Sequence, residues 1–406
     1  MDRDESRAAG LDWFVLVAAL GPPLALAALF WRMTAQIGDA GLRQAIAVRD
    51  AIIFWIGGLL ARAGDLAAVF DPHAYQAAAE TMFGAGFVAP PWAYPPPMLL
   101  LAVPLSFLPV ACGFALWSVG GMALLWLGAR EAGLGRTARL VALLSPAAIE
   151  NVLSGQNGLL TASLLLPGLV LLGEKPWFAG ALLGGLILKP QLAVLVPLCL
   201  LASRNWRAAA SAVLSASALA GLSTVAFGWT SWADFLLKTM PFIRRVIVEA
   251  DWYIGPLQSM IATPFMAARW AGAGVSAAYA VQAVSALGAS ALCWHAWRRP
   301  GADPLARAAL TLALGFLVSP YGMSYDMPAL EAALIGLAAR DGSWRGEARL
   351  LFAVAWIWPG CGFLLGTMRA PPLGLAAVAC AALLAWRACR RESVKDAARV
   401  AVTAAA

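Results

Sequence analysis

Charge is scarce in this chain. Acidic and basic residues together make up 13% of 406 residues, and only two are histidines. No stretch is long and polar enough to form a separate soluble domain. There is no His-Cys cluster, no Ser-His-Asp set and no phosphate-cradling glycine loop, which leaves soluble nucleotide-sugar or ATP chemistry without support. The six cysteines (Cys112, Cys199, Cys293, Cys361, Cys380 and Cys389) lie in or beside apolar runs without metal-ligand spacing and read as small core residues. The net charge of +7 comes without a basic cluster beside stacking aromatics, so no nucleic-acid partner is expected. Most of the excess fits the positive-inside pattern of membrane proteins instead.

Apolar residues are abundant: 61% of the chain, with a mean hydropathy of +0.75. Runs of roughly 15 to 23 apolar residues recur along nearly the whole length, and a helix needs about 20 to cross a bilayer. Only helices or closed barrels satisfy their backbone in lipid, so the fold class is all-α: a polytopic membrane bundle, read as one domain over 1–406. The expected spans are 12–32, 97–110, 112–129, 138–153, 158–173, 178–201, 208–228, 275–297, 307–319, 327–340, 349–366 and 371–388, about twelve transmembrane helices. The charged start, Met1 to Arg7, precedes an apolar run without a small-residue cleavage site, so a retained first span is expected rather than a signal peptide. Arg387, Arg390, Arg391, Lys395 and Arg399 assign the C-terminal end, with the tail 389–406, to the cytoplasm, and an even span count brings the N-terminus there too. Segments 33–96 and 229–274 then face outward, and 256–270 is expected as a helix lying along the interface. The turn holding Arg130, Arg136 and Arg139 runs against this topology.

Charge buried at membrane depth costs roughly 2.5 to 3.5 kcal/mol per residue, so each survivor is a candidate for function. Asp50 stands alone in Arg49-Asp50-Ala51-Ile52-Ile53-Phe54-Trp55, just after the first apolar run. Lys189, followed by Pro190 and Gln191, can pair with a lipid phosphate, or can snorkel to the nearer interface. The polar run Glu150, Asn151, Ser154, Gly155, Gln156, Asn157 and Gly158 offers amides for sugar hydroxyls, or makes an ordinary turn. A second break, Ser319-Pro320-Tyr321-Gly322-Met323-Ser324-Tyr325-Asp326, brings another acid. Asp71 before Pro72 is expected to begin a helix, and His73 to be a solvated loop histidine.

In order along the chain stand Asp50-x-x-x-Phe54-Trp55, Gly64-Asp65, Phe70-Asp71-Pro72, Trp92-x-Tyr94-Pro95-Pro96, Ser154-Gly155-Gln156-Asn157, Leu188-Lys189-Pro190-Gln191 and Ser319-Pro320-Tyr321 with Tyr325-Asp326. Together they resemble glycosyltransferase family 87, over roughly 45 to 340. Each motif is weak alone, and their order carries the likeness. The resemblance implies a GT-C type membrane glycosyltransferase that takes a polyprenyl-phosphate sugar, mannose being the best-known case, and works on the outer face of the cytoplasmic membrane. It implies that Asp50 is the essential acid. The usual Asp-Phe is here Asp-Ala, and Tyr321 stands where some members carry histidine, which shifts weight to Tyr321, Tyr325 and Asp326.

Transfer to a hydroxyl needs a base, and Asp50 is the candidate. The departing lipid phosphate needs a cation, for which Lys189, Arg49, Arg244 and Arg245 are candidates. Arg49, Tyr94, Gln156, Asn157, Lys189, Tyr321, Tyr325 and Asp326 are the expected contacts to donor and acceptor, the acceptor being an envelope glycolipid or polysaccharide. A monophosphate leaves more readily than a pyrophosphate and no acidic pair shows ligand spacing, so no metal and no cofactor are expected. The alternative is a secondary transporter or lipid flippase, for which an internal repeat is the missing sign.

Overall fold

A computed structural model describes residues 50–250, 256–299, 301–341, 346–367 and 373–404. The expected first span at 12–32, the question of a retained or cleaved N-terminal segment, and Arg49 lie outside these residues. Within them the chain is helical almost throughout, and the one β feature is an isolated antiparallel bridge between Ile261 and Met323.

The principal helices run, in order, α1 (Ala51–Arg62), α2 (Leu99–Leu105), α3 (Val110–Glu131), α4 (Pro146–Ser154), α5 (Gly158–Val170), α6 (Pro176–Gly184), α7 (Trp206–Phe227), α8 (Val275–Arg298), α9 (Pro304–Val318), α10 (Pro328–Asp341), α11 (Glu347–Thr367) and α12 (Gly374–Ala404). Among the described residues three of them, α3, α7 and α8, are long and apolar enough to cross a membrane, and six further apolar stretches of 10–17 residues are shorter. The spans expected at 112–129, 208–228 and 275–297 thus appear nearly as drawn. Those expected at 138–153 and 178–201 do not run through. The first breaks at Ser145-Pro146, where Ser145 caps α4 through the Ala148 N–H and Pro146 takes the first helical position. The second breaks at Lys189-Pro190, with short 3-10 turns on either side, because proline cannot donate to the helix and clashes with the turn before it.

Helix pairs approach closely through glycine. Gly180 and Gly184 form a G-x-x-x-G face on α6, and a Cβ on either would stand 2.2 Å from the carbonyl of Ala208 or Ala212 on α7. Ser211 and Ser215 of α7 donate to the Trp177 and Ala181 carbonyls at 2.6 and 2.9 Å, completing that contact. Gly58 sets α1 against the Ala102 carbonyl of α2 in the same way, and Gly128 sets α3 against Ser163 of α5.

Two cores result. The larger is aliphatic and joins α5, α9, α10 and α12, with Leu166, Ala309, Leu334 and Ala385 fully enclosed. The smaller is aromatic and surrounds α1: Phe54, Phe70, Tyr75, Trp92 and Tyr94. Tyr75 anchors it by donating to the Ile53 carbonyl at 3.0 Å. Asp71 caps the helix Pro72–Phe83, as its sequence context predicts, accepting from the N–H groups of His73 and Ala74 at 3.0 and 3.1 Å. Those bonds hold its pKa below the usual carboxylate value, and His73 is exposed. The expected interfacial helix at 256–270 is instead two short helices, Pro256–Ser259 and Pro264–Trp270, and the stretch from Gln258 to Met266 is buried. The Ile261–Met323 bridge and the bond from Ser259 to the Gly362 carbonyl, 2.7 Å, hold it inside the protein, so apolar surface there is covered by protein and not by lipid.

Candidate active site

Asp50 opens α1, yet its side chain makes no capping bond to that helix. Its backbone N–H donates to the Ser154 carbonyl at 2.7 Å, and its carboxylate accepts from Nε2 of Gln156. The polar break at 154–158 is therefore folded against the start of α1. Gly155 makes the approach possible: at φ +72° it ends α4 in a left-handed turn, and a Cβ there would lie 2.6 Å from that of Ala51. The amide of Gln156 is oriented at its other end by the Tyr94 hydroxyl, which donates to Oε1 at 2.8 Å. The indole of Trp117 donates to the Gln156 carbonyl at 3.1 Å, and its ring lies 4.6 Å from that of Phe54.

Asp50 is half-buried in this nest, and its carboxyl is pushed up to about 6 by burial, against the opposing pull of the Gln156 bond and the Lys189 charge. A carboxylate near 6 is matched to taking a proton at neutral pH.

Beside it, Lys189 forms a buried ion pair with Asp326, Nζ to Oδ1 at 2.5 Å, and also donates to Oδ1 of Asn157 at 2.8 Å. Two of the three ammonium donors are thereby used. The Tyr325 ring lies 5.2 Å from the ammonium. Asp326 keeps its second oxygen, Oδ2, without a hydrogen-bond partner among the described residues, as does Asn157 its Nδ2. Burial raises the pKa of Asp326, with Lys189 opposing. Tyr94, Tyr321 and Tyr325 are likewise held above the ordinary phenol range by burial, so all three remain hydrogen-bond donors.

Three of these groups, Tyr94, Lys189 and Tyr321, border a cavity of about 660 Å³. Tyr94, Lys189, Pro190 and Gln191 form one wall, Ser319, Pro320 and Tyr321 a second, and the stretch Phe235 to Val248, two π-helical segments around a turn of α-helix, the third. Arg244 lies in that third wall, 63% exposed and 3.3 Å from Glu249. A second cavity, of about 300 Å³, shares no lining residue with the first, and Asp50 lines neither. Asn151, Gln156 and Asn157 are polar groups in its wall, and Leu101, Leu116, Gly120, Leu124 and Leu160 are among the rest.

The structure thus brings together Asp50, Tyr94, Gln156, Asn157, Lys189, Tyr321, Tyr325 and Asp326, and it leaves Arg245, exposed, off the walls of the cavity. By a simple count of spans Gln156 falls near the inner face and Lys189 mid-membrane. The chain breaks at 155–157 and 189–190 bring both close to Asp50. The Asn151 amide is engaged within the protein: Nδ2 donates to the Tyr325 carbonyl at 3.1 Å, and Oδ1 accepts from the Leu159 N–H at 3.4 Å. Gly158 lies under that staple, where a Cβ would be 2.0 Å from the Tyr325 carbonyl. Trp117 and Glu331 are the residues that sequence reasoning overlooks. Glu331, a lone acid in an apolar run, accepts from the Ala147 N–H at 2.9 Å and so ties α10 to the start of α4. Among the described residues no group of three or more His, Cys, Asp or Glu side chains comes together as metal ligands.

No curated protein and no solved structure matches this chain. The profile of glycosyltransferase family 87 matches residues 92–320, a narrower stretch than the 45 to 340 that the motifs suggest. It takes in Tyr94, Gln156, Asn157 and Lys189 and begins after Asp50. With more than half of its length matched, the chain belongs to glycosyltransferase family 87.

Proposed function

We propose that this glycosyltransferase moves a sugar, mannose in the first instance, from a polyprenyl-phosphate donor to an acceptor hydroxyl on the outer face of the cytoplasmic membrane, on a GT-C type scaffold and with Asp50 as general base. The observation that carries the reading is the cavity of about 660 Å³, whose walls hold two cations, Lys189 and Arg244, next to the Tyr94–Gln156–Asp50 chain of hydrogen bonds. A phosphate belongs beside the cations, and the base lies past Tyr94 from them. Exposed Val194, Leu236 and Met240 on the walls suit a polyprenyl tail.

The chemistry balances with these groups alone. The acceptor O–H bond breaks and its proton goes to Asp50. The oxygen forms the new bond to the anomeric carbon, and the old bond from that carbon to the phosphate oxygen breaks with its electron pair on the phosphate. Arg244 and the third donor of Lys189 stabilise that charge. The Tyr321 hydroxyl, neutral through burial, donates to a sugar oxygen, while that of Tyr94 is spent on Gln156. The transporter or flippase alternative has no observation in its favour.

Purified protein in lipid, supplied with radiolabelled polyprenyl-phosphate-mannose and a membrane extract from the source as acceptor, tests the reading. Transfer is expected, with Asp50→Asn reducing it by about 10²–10⁴. Equal rates in the two proteins would remove Asp50 from the reaction. Transfer from another polyprenyl-linked sugar alone would change only the sugar, and inertness toward all of them would overturn the donor class.

A further inference from the structure

Asp326 pairs with Lys189 through one oxygen and also lines a third cavity, a small one of about 30 Å³. That is room for one or two groups the size of water, since roughly 10–15 Å³ suffices for one. Its walls come from α5, α9, α10 and the stretch after Pro190, and they are mainly aliphatic and buried, Leu165, Leu312 and Leu330 among them. It shares Gln191, Ser319 and Tyr321 with the cavity of about 660 Å³, so the two adjoin there and the small one is an annex of the large.

The annex lacks a hydrogen-bond donor. Oδ2 of Asp326, on a side chain that is 0% exposed, accepts nothing among the described residues. The hydroxyl protons in the wall are committed elsewhere: Thr311 donates to the Arg307 carbonyl and Ser319 to the Tyr321 carbonyl, each at 2.8 Å. A buried carboxylate oxygen left without a donor is costly, so a hydroxyl brought by a ligand is favoured there. The ring of a sugar is wider than the annex, and its ring hydroxyls are fixed to it. The hydroxymethyl arm of a hexose is one rotatable methylene carrying one hydroxyl, which suits aliphatic walls with an acid among them.

Resting on the donor reading above, we propose that the annex bordered by Gly315, Gln191 and Asp326 takes the hydroxymethyl arm of the donor sugar, whose hydroxyl donates to Oδ2 of Asp326. The arm stands on one neighbour of the ring oxygen and the anomeric phosphate on the other, so a single sugar reaches Asp326 and Lys189 together. The annex thereby makes the enzyme selective for hexopyranosyl donors with a free C6 hydroxyl. A donor without that hydroxyl leaves the Asp326 oxygen unpaired and is rejected.

Gly315 provides the test. It lines the annex, has ordinary helical geometry within α9, and a Cβ there would meet nothing within 4 Å. Gly315→Leu fills the annex, and Gly315→Ala takes part of it while favouring the helix. Gly221 on α7 is equally open and lies away from both cavities, so Gly221→Leu is the matched control. Binding is measured without acceptor, in phosphatidylcholine vesicles, by displacement of labelled polyprenyl-phosphate-mannose. The competitors are the mannosyl donor, its 6-deoxy analogue, the lyxosyl analogue that lacks C6 altogether, and polyprenyl phosphate. The 6-deoxy and lyxosyl donors are expected to bind about 10- to 100-fold more weakly than the mannosyl donor. Gly315→Leu should weaken the mannosyl donor by the same factor and leave the lyxosyl donor unchanged, abolishing the discrimination. Gly315→Ala should fall between, with its unfolding temperature held or raised, and so decides the matter if Gly315→Leu does not fold. Gly221→Leu should alter none of these affinities. Equal binding of mannosyl and 6-deoxy donors to the native protein would mean that the annex holds only water, and overturns the proposal. An equal loss for every donor in the Gly315 variants overturns it too. Failure of all four lipids to bind would instead sink the donor reading, and this inference with it.

Discussion

The hydroxyl of Tyr94 donates to Oε1 of Gln156 at 2.8 Å, and this fixes the Gln156 amide with its N–H face toward Asp50. A free glutamine side chain turns either way, so the tyrosine decides which end the carboxylate meets. The pair makes Asp50 a positioned acceptor, and the order of the three residues leads to the first prediction.

As the proposed base, Asp50 can take a proton only when ionised, and burial pushes its carboxyl up to about 6. Sugar transfer, measured as kcat/KM across pH, should be level above that value and fall about tenfold per pH unit below it. Gln156→Leu removes a bond that favours the charged form, so the midpoint should move upward and the plateau fall. A midpoint unmoved in Gln156→Leu would separate Gln156 from the base.

The Lys189–Asp326 pair, exposed by only 3% and 0% at the side chains, is too enclosed for water to replace either partner. Lys189→Met should destabilise the protein by roughly 3–5 kcal/mol, because it strands the Asp326 charge. The double variant Lys189→Met, Asp326→Leu should recover most of that loss in thermal unfolding and still fail to transfer sugar. Recovery of activity with stability would reduce the pair to a structural role.

Gly155→Ala forces a side chain into a left-handed turn, at about 1–2 kcal/mol, and drives its Cβ against Ala51. The start of α1 must shift, taking Asp50 with it. Activity is expected to fall well beyond what the loss of stability explains, since a displacement of about 1 Å can cost roughly 10²-fold. A folded Gly155→Ala protein at native rate would show that Asp50 is not held by this contact.

Arg244 lies in the cavity wall and remains largely solvent-accessible, so Arg244→Ala should leave the fold intact. Loss of a phosphate contact should raise the donor KM about tenfold or more and make it less sensitive to salt, without altering the acceptor KM. A change in acceptor KM alone would reassign the cavity.

The membrane class, the three long helices and the residues that gather around Asp50 were legible in the sequence, for different reasons. Runs such as 208–228 are uniform, so length and hydropathy suffice to draw them. Asp50, Lys189 and Asp326 stand out because charge is rare around them. The nearness of Gln156 and Lys189 to Asp50 was not legible, since a window of hydropathy sums residues without registering the chain breaks at Gly155 and at Lys189-Pro190. The buried segment around Ile261 read as interfacial because its aromatic neighbours resemble a lipid boundary, while the Met323 bridge that covers it is remote in sequence. Trp117 was invisible for a related reason: an indole in an apolar run declares its hydrogen bond to Gln156 only once the two helices are packed.

Gln156 and Asn157 are neighbours in the chain, and one holds Asp50 while the other holds Lys189. A single dipeptide thus spans the acid and the cation of the site. Their separation is set by that short link and not by the packing of whole helices, so a substitution that shifts α4 against α5 displaces both charges together and leaves their spacing the same.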